Sequence, residues 1–162
     1  MIIRPAQDHD DEALWGILEP VLRDGSTYTL PRNISRKDAL AYWRRPDHKT
    51  FIAENNGQVI GTYYLRANQA GPGEHVCNCG YVVSSTASGK GVARAMNTHS
   101  QDIAINAGYR AMQYNAVVAT NVRAVTLWQR CGFDIIGTLP GAFLHPDKGY
   151  VDAHIMYKIL VD

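Results

Sequence analysis

The run from Gly80 to Met96, GYVVSSTASGKGVARAM, leads from an apolar, strand-like segment through small residues and two close glycines into a helix. The first amides of a helix have no partner within it and lie at the positive end of its dipole, so such a junction can hold a phosphate with backbone alone. Two nucleotide-binding patterns fail here on spacing. A dinucleotide fingerprint begun at Gly89 would need glycine or alanine at Arg94 and a strand directly before it, and a P-loop would need serine or threonine where Gly91 follows Lys90. Asn78 and Asn115 also carry chemical information, because each sits in an apolar run. A buried carboxamide must be hydrogen-bonded or cost about 1–3 kcal/mol, so a strand-borne asparagine either ties backbone together or faces a ligand.

A third pattern fits the glycine run. Ser88-Gly89-Lys90-Gly91-Val92-Ala93 matches [RQ]-x-x-G-x-[GA] at every position but the first, and Asn121, Ala124, Leu127, Gly132 and Phe133 match N-x-x-A-x-x-L-Y-x-x-x-G-F in register. The two blocks together resemble the coenzyme A-binding elements of the GCN5-related N-acetyltransferases (GNAT). The resemblance covers essentially the whole chain. It implies acetyl-CoA as co-substrate, no metal, and transfer of acetyl to an amine by direct attack.

The resemblance also implies roles for particular residues. The backbone of Tyr81, Val82 and Val83 would bind the pantetheine arm like an added strand, with one N–H polarising the thioester carbonyl; such a donor is worth roughly a hundred- to thousandfold in rate. Ser88, Gly89, Lys90, Gly91, Val92, Ala93 and Arg94 would cradle the pyrophosphate, with Asn121, Ala124 and Trp128 along the cofactor from the following helix. Asn121 is also the expected helix cap. The block's tyrosine, the usual general acid for the departing thiolate, is Trp128 here, and an indole N–H cannot deliver a proton. Ser88 in place of arginine or glutamine removes one phosphate contact.

The flanking residues CNCGYVVSS, QYNAVVATN and IIGTLPGAFLHP with GYVDAHIMY resemble the branch that includes the fungal azetidine-2-carboxylate (proline-analogue) acetyltransferases. That branch uses asparagines at the positions of Asn78 and Asn115 to hold the substrate, which implies a small-molecule amine, an amino acid or proline analogue, as acceptor. Tyr28 and Thr29, in the turn-rich loop where this fold builds its acceptor wall, are further substrate candidates. Glu74, His75, His145 and His154 are candidate bases or surface groups, while His99 falls on an apolar helical stripe and reads as core.

The elements that must position these groups follow from periodicity. Leu14, Ile17, Leu18, Val21 and Leu22 mark one helical face between about Asp10 and Arg23, and Ser35 with Asp38 caps a second short helix carrying Leu40 and Trp43. Ile2 and Ile3 begin a strand; Thr50 to Glu54 and Gln58 to Arg66 form a hairpin around Asn55-Asn56-Gly57; Val76 to Val83 follows. Val92, Met96, His99, Ile103 and Ala107 line a helix ended at Gly108, Met112 to Val118 is a strand, and Ala124 to Cys131 is a helix stopped by Gly132. Phe133 to Thr138 and Val151 to Ile159 close the sheet, with PGAFLHPDKG between them too rich in turn formers to be regular and suited to closing a groove. The expected fold is α+β, a mixed and mostly antiparallel sheet with one parallel strand-helix-strand unit, as one domain over residues 1–162.

Composition sets the outer limits. Sixteen Lys plus Arg against fifteen Asp plus Glu give a charge of +1, which excludes a global footprint for nucleic acid or an anionic membrane. The three cysteines suit neither a disulfide framework nor zinc spacing and read as reduced and buried. The start, MIIRPAQDHDDEAL, lacks the apolar core of a signal peptide, so a cytoplasmic enzyme is expected, with a homodimer implied by the family resemblance. Two other functions remain open: a protein or peptide N-terminal acetyltransferase of the same fold, and an acyl-CoA-binding module without turnover, to which Trp128 and Ser88 lend weight.

Overall fold

A computed structural model describes residues 1–161. Seven strands, β1 (Ile2–Pro5), β2 (Lys49–Asn55), β3 (Gln58–Ala67), β4 (Val76–Val83), β5 (Ala111–Val118), β6 (Asp134–His145) and β7 (Gly149–Ile159), form one sheet in the order β1-β2-β3-β4-β5-β7-β6. Every neighbouring pair is antiparallel except β4 and β5. Four helices flank it: α1 (Asp11–Asp24), α2 (Arg36–Trp43), α3 (Val92–Asn106) and α4 (Val122–Arg130). This is the α+β arrangement expected from the sequence, and the crossover from β4 through α3 to β5 is its parallel unit.

Both sheet faces are covered, so the central strands are apolar on both sides rather than alternating. On one face Ile17, Leu18 and Leu22 of α1 and Ala39 and Trp43 of α2 pack on Tyr64 and Val82. On the other, Val92, Met96 and Ala104 of α3 and Trp128 of α4 pack on Tyr63, Leu65, Cys77, Cys79, Met112 and Tyr114. Successive strand residues therefore serve different cores: Tyr63 and Tyr81 face α3, while Tyr64, Asn78, Gly80 and Val82 face the α1–α2 side. The Ser35 cap is present, with its hydroxyl accepting from the Asp38 amide at 3.0 Å.

One expected irregular segment is regular. Pro140 to Gly149 is mostly strand: β6 runs to His145 and pairs with β7 at Phe143 with Val151, Leu144 with Tyr150 and His145 with Gly149. Its turn formers are absorbed by a register shift between Leu139 and Phe143 on an edge strand, where proline withholds no ladder donor, and the Gly141 amide donates to Asp152 at 2.9 Å.

Candidate functional site

The site begins where β4 and β5 part. The two strands pair only at Val76 with Ala111 and Cys77 with Met112, although both run on for several residues. Ser84 donates its amide to Ile60 on the β3 side, and bonded and non-bonded positions alternate in an antiparallel ladder. Gly80 and Val82 therefore bond to β3, while Cys79, Tyr81 and Val83 turn their amides and carbonyls into the gap. Val82 is thus a correction to the sequence reading: its backbone belongs to the sheet and its side chain to the α1–α2 core. Tyr81 keeps a free amide, but its carbonyl already accepts from the Tyr28 hydroxyl at 2.8 Å.

Behind the gap lies a cleft of about 340 Å³ walled by Thr27, Tyr28, Thr29, Tyr42, Tyr64, Asn78, Tyr81, Tyr114, Asn115 and Trp128, among others. The loop between α1 and α2 supplies Tyr28 and Thr29, as expected. Tyr64 can lie flat against β4 because Gly80 has no side chain; a Cβ there would meet the Tyr64 ring at 2.6 Å. None of Pro140 to Gly149 lines this cleft, so the expected closing role for that segment is not seen; its pairing with β7 carries it to the far edge of the sheet.

Asn78 and Asn115 both reach the cleft, by different routes. Asn78 is buried on the cross-strand face of β4, and its Nδ2 donates to the Gln113 carbonyl across the parting strands at 2.9 Å. A carbonyl can only accept, so this bond fixes the amide orientation and leaves Oδ1 as the group available to a ligand. Asn115 is exposed because β5 bulges between Tyr114 and Val117, leaving Asn115 and Ala116 out of the β7 ladder. A bulge of this kind re-aims side chains near sites. Asn115 bonds to Asn68 at 2.8 Å and Gln113 at 3.0 Å, a surface chain of amides.

The floor is aromatic. Trp128 lies 5.1 Å from the Tyr81 ring and 5.2 Å from the Tyr114 ring. Both phenols point away from the gap into α3: Tyr81 meets Ser100 at 2.7 Å, and Tyr114 accepts from Asn97 Nδ2 at 2.6 Å. Burial raises both phenols well above their ordinary range, and does the same to Tyr28 and to the Cys79 thiol at the cleft. Cys77 is pushed up to about 12 by burial. Protonated thiols are poor nucleophiles, so the cysteines lack the activation that covalent catalysis needs. His99 is packed, with Nδ1 against the Tyr63 hydroxyl at 2.7 Å. Glu74, His75, His145 and His154 do not line the cleft, and no other carboxylate or imidazole among the described residues does.

The loop into α3 leaves its backbone open. Gly89 and Gly91 have φ of +77° and +79°, which a side chain would strain, and open space lies where each Cβ would be. The first amide bonded within the helix is that of Ala95, to Gly91, and no side chain caps the end. The amides of Val92, Ala93 and Arg94 are therefore the unpaired ones of the first turn. Ser88 and Lys90 are exposed beside them. One contact had no sequence signal: Arg123 on the first turn of α4 donates to Ser88 Oγ at 3.3 Å, bringing a guanidinium to the position where the pattern lacks its arginine or glutamine. Asn121 caps α4 by accepting from Ala124 at 3.2 Å; Ala124 and Trp128 line the cleft and Asn121 does not. Arg66 on β3, which no motif marked, also lines the cleft.

Comparison with known proteins agrees with this geometry. The family model for the acetyltransferase (GNAT) family matches residues 15–133. The chain is 32% identical over 111 residues to N-acetyltransferase aca1 of Schizosaccharomyces pombe, covering 68% of this chain and 53% of that protein, so it spans about half the length of this curated relative. Among solved structures, a GCN5-related N-acetyltransferase from Kribbella flavida superposes with a TM-score of 0.92 at 38% identity over 98% of this chain and 96% of that one. The fold is also that of yncA from Salmonella typhimurium, solved with its cofactor acetyl-CoA, with a TM-score of 0.88 at 20% identity over 100% and 95% of the two chains. With the matched span running from α1 to the residue before β6, and so through both the parted strands and the α3 cradle, the chain belongs to the acetyltransferase (GNAT) family.

Proposed function

We propose that this protein transfers acetyl from acetyl-CoA to the amine of a small molecule, an amino acid or proline analogue. The observation that carries the reading is the parting of β4 from β5 after Cys77, which leaves strand-edge backbone facing a cleft of small-molecule size. The pantetheine arm would pair with Tyr81 and Val83 as an added strand, with the Tyr81 amide free to polarise the thioester carbonyl. The unpaired amides of Gly89, Gly91, Val92, Ala93 and Arg94 would take the pyrophosphate, and Arg123 would supply the charge that Ser88 lacks. That yncA holds acetyl-CoA on the same fold supports the placement.

Asn78 Oδ1 would accept from the incoming amine and, with Asn115, hold its nitrogen at the thioester. The nitrogen lone pair forms the N–C bond as the C–S bond breaks; the proton released from nitrogen passes to solvent, and water protonates the departing thiolate. Tyr28, Tyr81, Tyr114 and Cys79 take neither role, because burial pushes their hydroxyls and thiol well above the ordinary range. The reading includes no metal, so a chelator should leave turnover unchanged. A cleft enclosed by Tyr28, Tyr42 and Tyr64 favours a small acceptor over a peptide chain. A cytoplasmic location and pairing through the exposed β6 edge, where Ile136, Leu139 and Leu144 face out, complete the proposal; light scattering tests the dimer. Among the described residues no helix is long and apolar enough to cross a membrane.

The test is thiol release from acetyl-CoA across amino acids, proline analogues and peptides bearing a free N-terminus. Turnover with the small amines and little with peptides is the expected result. Peptide turnover alone would replace the acceptor assignment, and binding of acetyl-CoA without thiol release to any amine would make the chain a binding module.

A further inference from the structure

We propose that Arg66 is the anchor for a carboxylate on the acceptor, so that the preferred substrates carry a carboxylate next to the amine they present; this rests on the small-amine reading above. Three observations converge on it. Arg66 is the only formally charged side chain among those lining the cleft, and among the described residues no carboxylate pairs with it. Its guanidinium spends a single contact, Nη1 to the Ala67 carbonyl at 3.2 Å, of the five donors it owns. Seven of the eight ion pairs among the described residues engage Arg4, Arg23, Arg36, Arg44 and Arg45, the eighth joins His9 to Asp10, and none gives this half-buried arginine at the cleft a counter-charge.

Position gives the free charge its meaning. Arg66 lies directly opposite Asn78 in the β3–β4 register, and Tyr64 lies opposite Gly80 on the same face. Directly opposed residues have Cβ atoms about 5 Å apart, so a fork from Arg66 and the Oδ1 of Asn78 reach a single small molecule together. A guanidinium binds a carboxylate through two parallel N–H donors, which fixes the plane as well as the position of the acid. An acceptor gripped in this way has its amine turned toward Asn78 and the parted strands, and the rings of Tyr28, Tyr42 and Tyr64 enclose whatever lies between. A neutral amine lacking the acid would leave the guanidinium unpaired in a half-enclosed site and so bind less well.

The experiment uses a panel of α-amino acids and cyclic imino acids, azetidine-2-carboxylate among them, each beside its carboxamide and its decarboxylated amine. Initial rates of thiol release are measured for the wild-type chain, Arg66→Gln and Arg66→Lys at a fixed pH where each acceptor's fraction of free amine is known. The wild type should prefer the acid over the carboxamide. Arg66→Gln should raise KM for the acid by about 10- to 100-fold and erase that preference, with the KM for acetyl-CoA unchanged, because only a charge-assisted contact to the acceptor has been removed. Arg66→Lys should recover part of the preference, since it keeps the charge and loses the fork. A wild type that acetylates amines without regard to the carboxylate, or an Arg66→Gln variant with an unaltered acid-to-carboxamide ratio, would overturn the assignment while leaving the small-amine reading intact. A wild type that binds acetyl-CoA and turns over neither series would overturn both.

Discussion

Asn78→Ala separates positioning from scaffolding better than any other single change. The residue is 6% exposed and its Nδ2 donates to the Gln113 carbonyl at 2.9 Å, just beyond the last paired position of β4 and β5. Truncation removes that bond and leaves a carbonyl partly enclosed without a donor, at a cost of about 1–2 kcal/mol. In a chain of this size each kcal/mol lowers Tm by roughly 2–4 °C, so a fall of some few degrees is expected. Loss of the Oδ1 that receives the amine should have the larger effect. A misplacement of about 1 Å at a reacting centre can cost on the order of a hundredfold, so kcat/KM for the amine should fall by that order while the thermal shift given by acetyl-CoA persists. Asn78→Asp should not restore turnover, because a carboxylate cannot donate to the Gln113 carbonyl and is set against its oxygen. The assay is thiol release on preparations whose Tm and acetyl-CoA shift are measured side by side. A folded Asn78→Ala protein with the expected loss in Tm but undiminished amine turnover would refute the reasoning and leave Asn78 a structural tie.

Gly91→Glu should abolish the acetyl-CoA thermal shift, since it strains a backbone at φ of +79° and brings like charge to the cradle; Arg123→Ala should weaken the shift without abolishing it, and normal binding by both would remove the loop from the site. Trp128→Phe should retain substantial turnover, because an indole N–H cannot be the general acid; a loss beyond roughly a hundredfold in a folded, coenzyme-binding variant would show instead that this donor stabilises developing charge. Hydrogen bonds from the Arg4 guanidinium hold the Asp10 carboxyl below its usual range, at 2.8 and 2.9 Å. A depressed carboxylate contributes stability that is complete above about pH 4 and is lost as the pH falls through its lowered value, so Tm measured from pH 6 downward should fall less steeply in Asp10→Asn than in the wild type.

Much of the scaffold was legible because both signals it depends on are local. Val76 to Val83 stands as a strand with the bounds its apolar run gives, and Ser35 and Asn121 cap helices as their types suggest. The parallel unit followed from strand, helix and strand in succession. The open, glycine-rich start of α3 was visible because its glycines and small residues lie together in the chain. What stayed hidden depends on contacts between distant segments. The bulge that exposes Asn115 is a register shift against β7, and nothing in QYNAVVATN distinguishes a bulged from a regular strand. Pro140 to Gly149 has the composition of a loop and is a strand because it lies at an edge, which only the strand order reveals. Tyr28 at the Tyr81 carbonyl, Arg123 at Ser88 and Arg66 opposite Asn78 are cross-element placements; arginines in a chain of balanced charge carry no mark of which one lines the cleft.

The central claim is that the gap between β4 and β5 and the start of α3 together hold acetyl-CoA. Its most direct measurement is a backbone amide NMR titration of the full chain with acetyl-CoA. The amides of Cys79, Tyr81 and Val83, which turn into the gap, and those from Gly89 to Arg94 should shift together and saturably, while Gly80 and Val82, bonded to β3, respond weakly. Saturable shifts confined to another surface, such as the exposed face of α4 around Val122, Thr126 and Arg130, with Tyr81 and Gly91 unmoved, would contradict it.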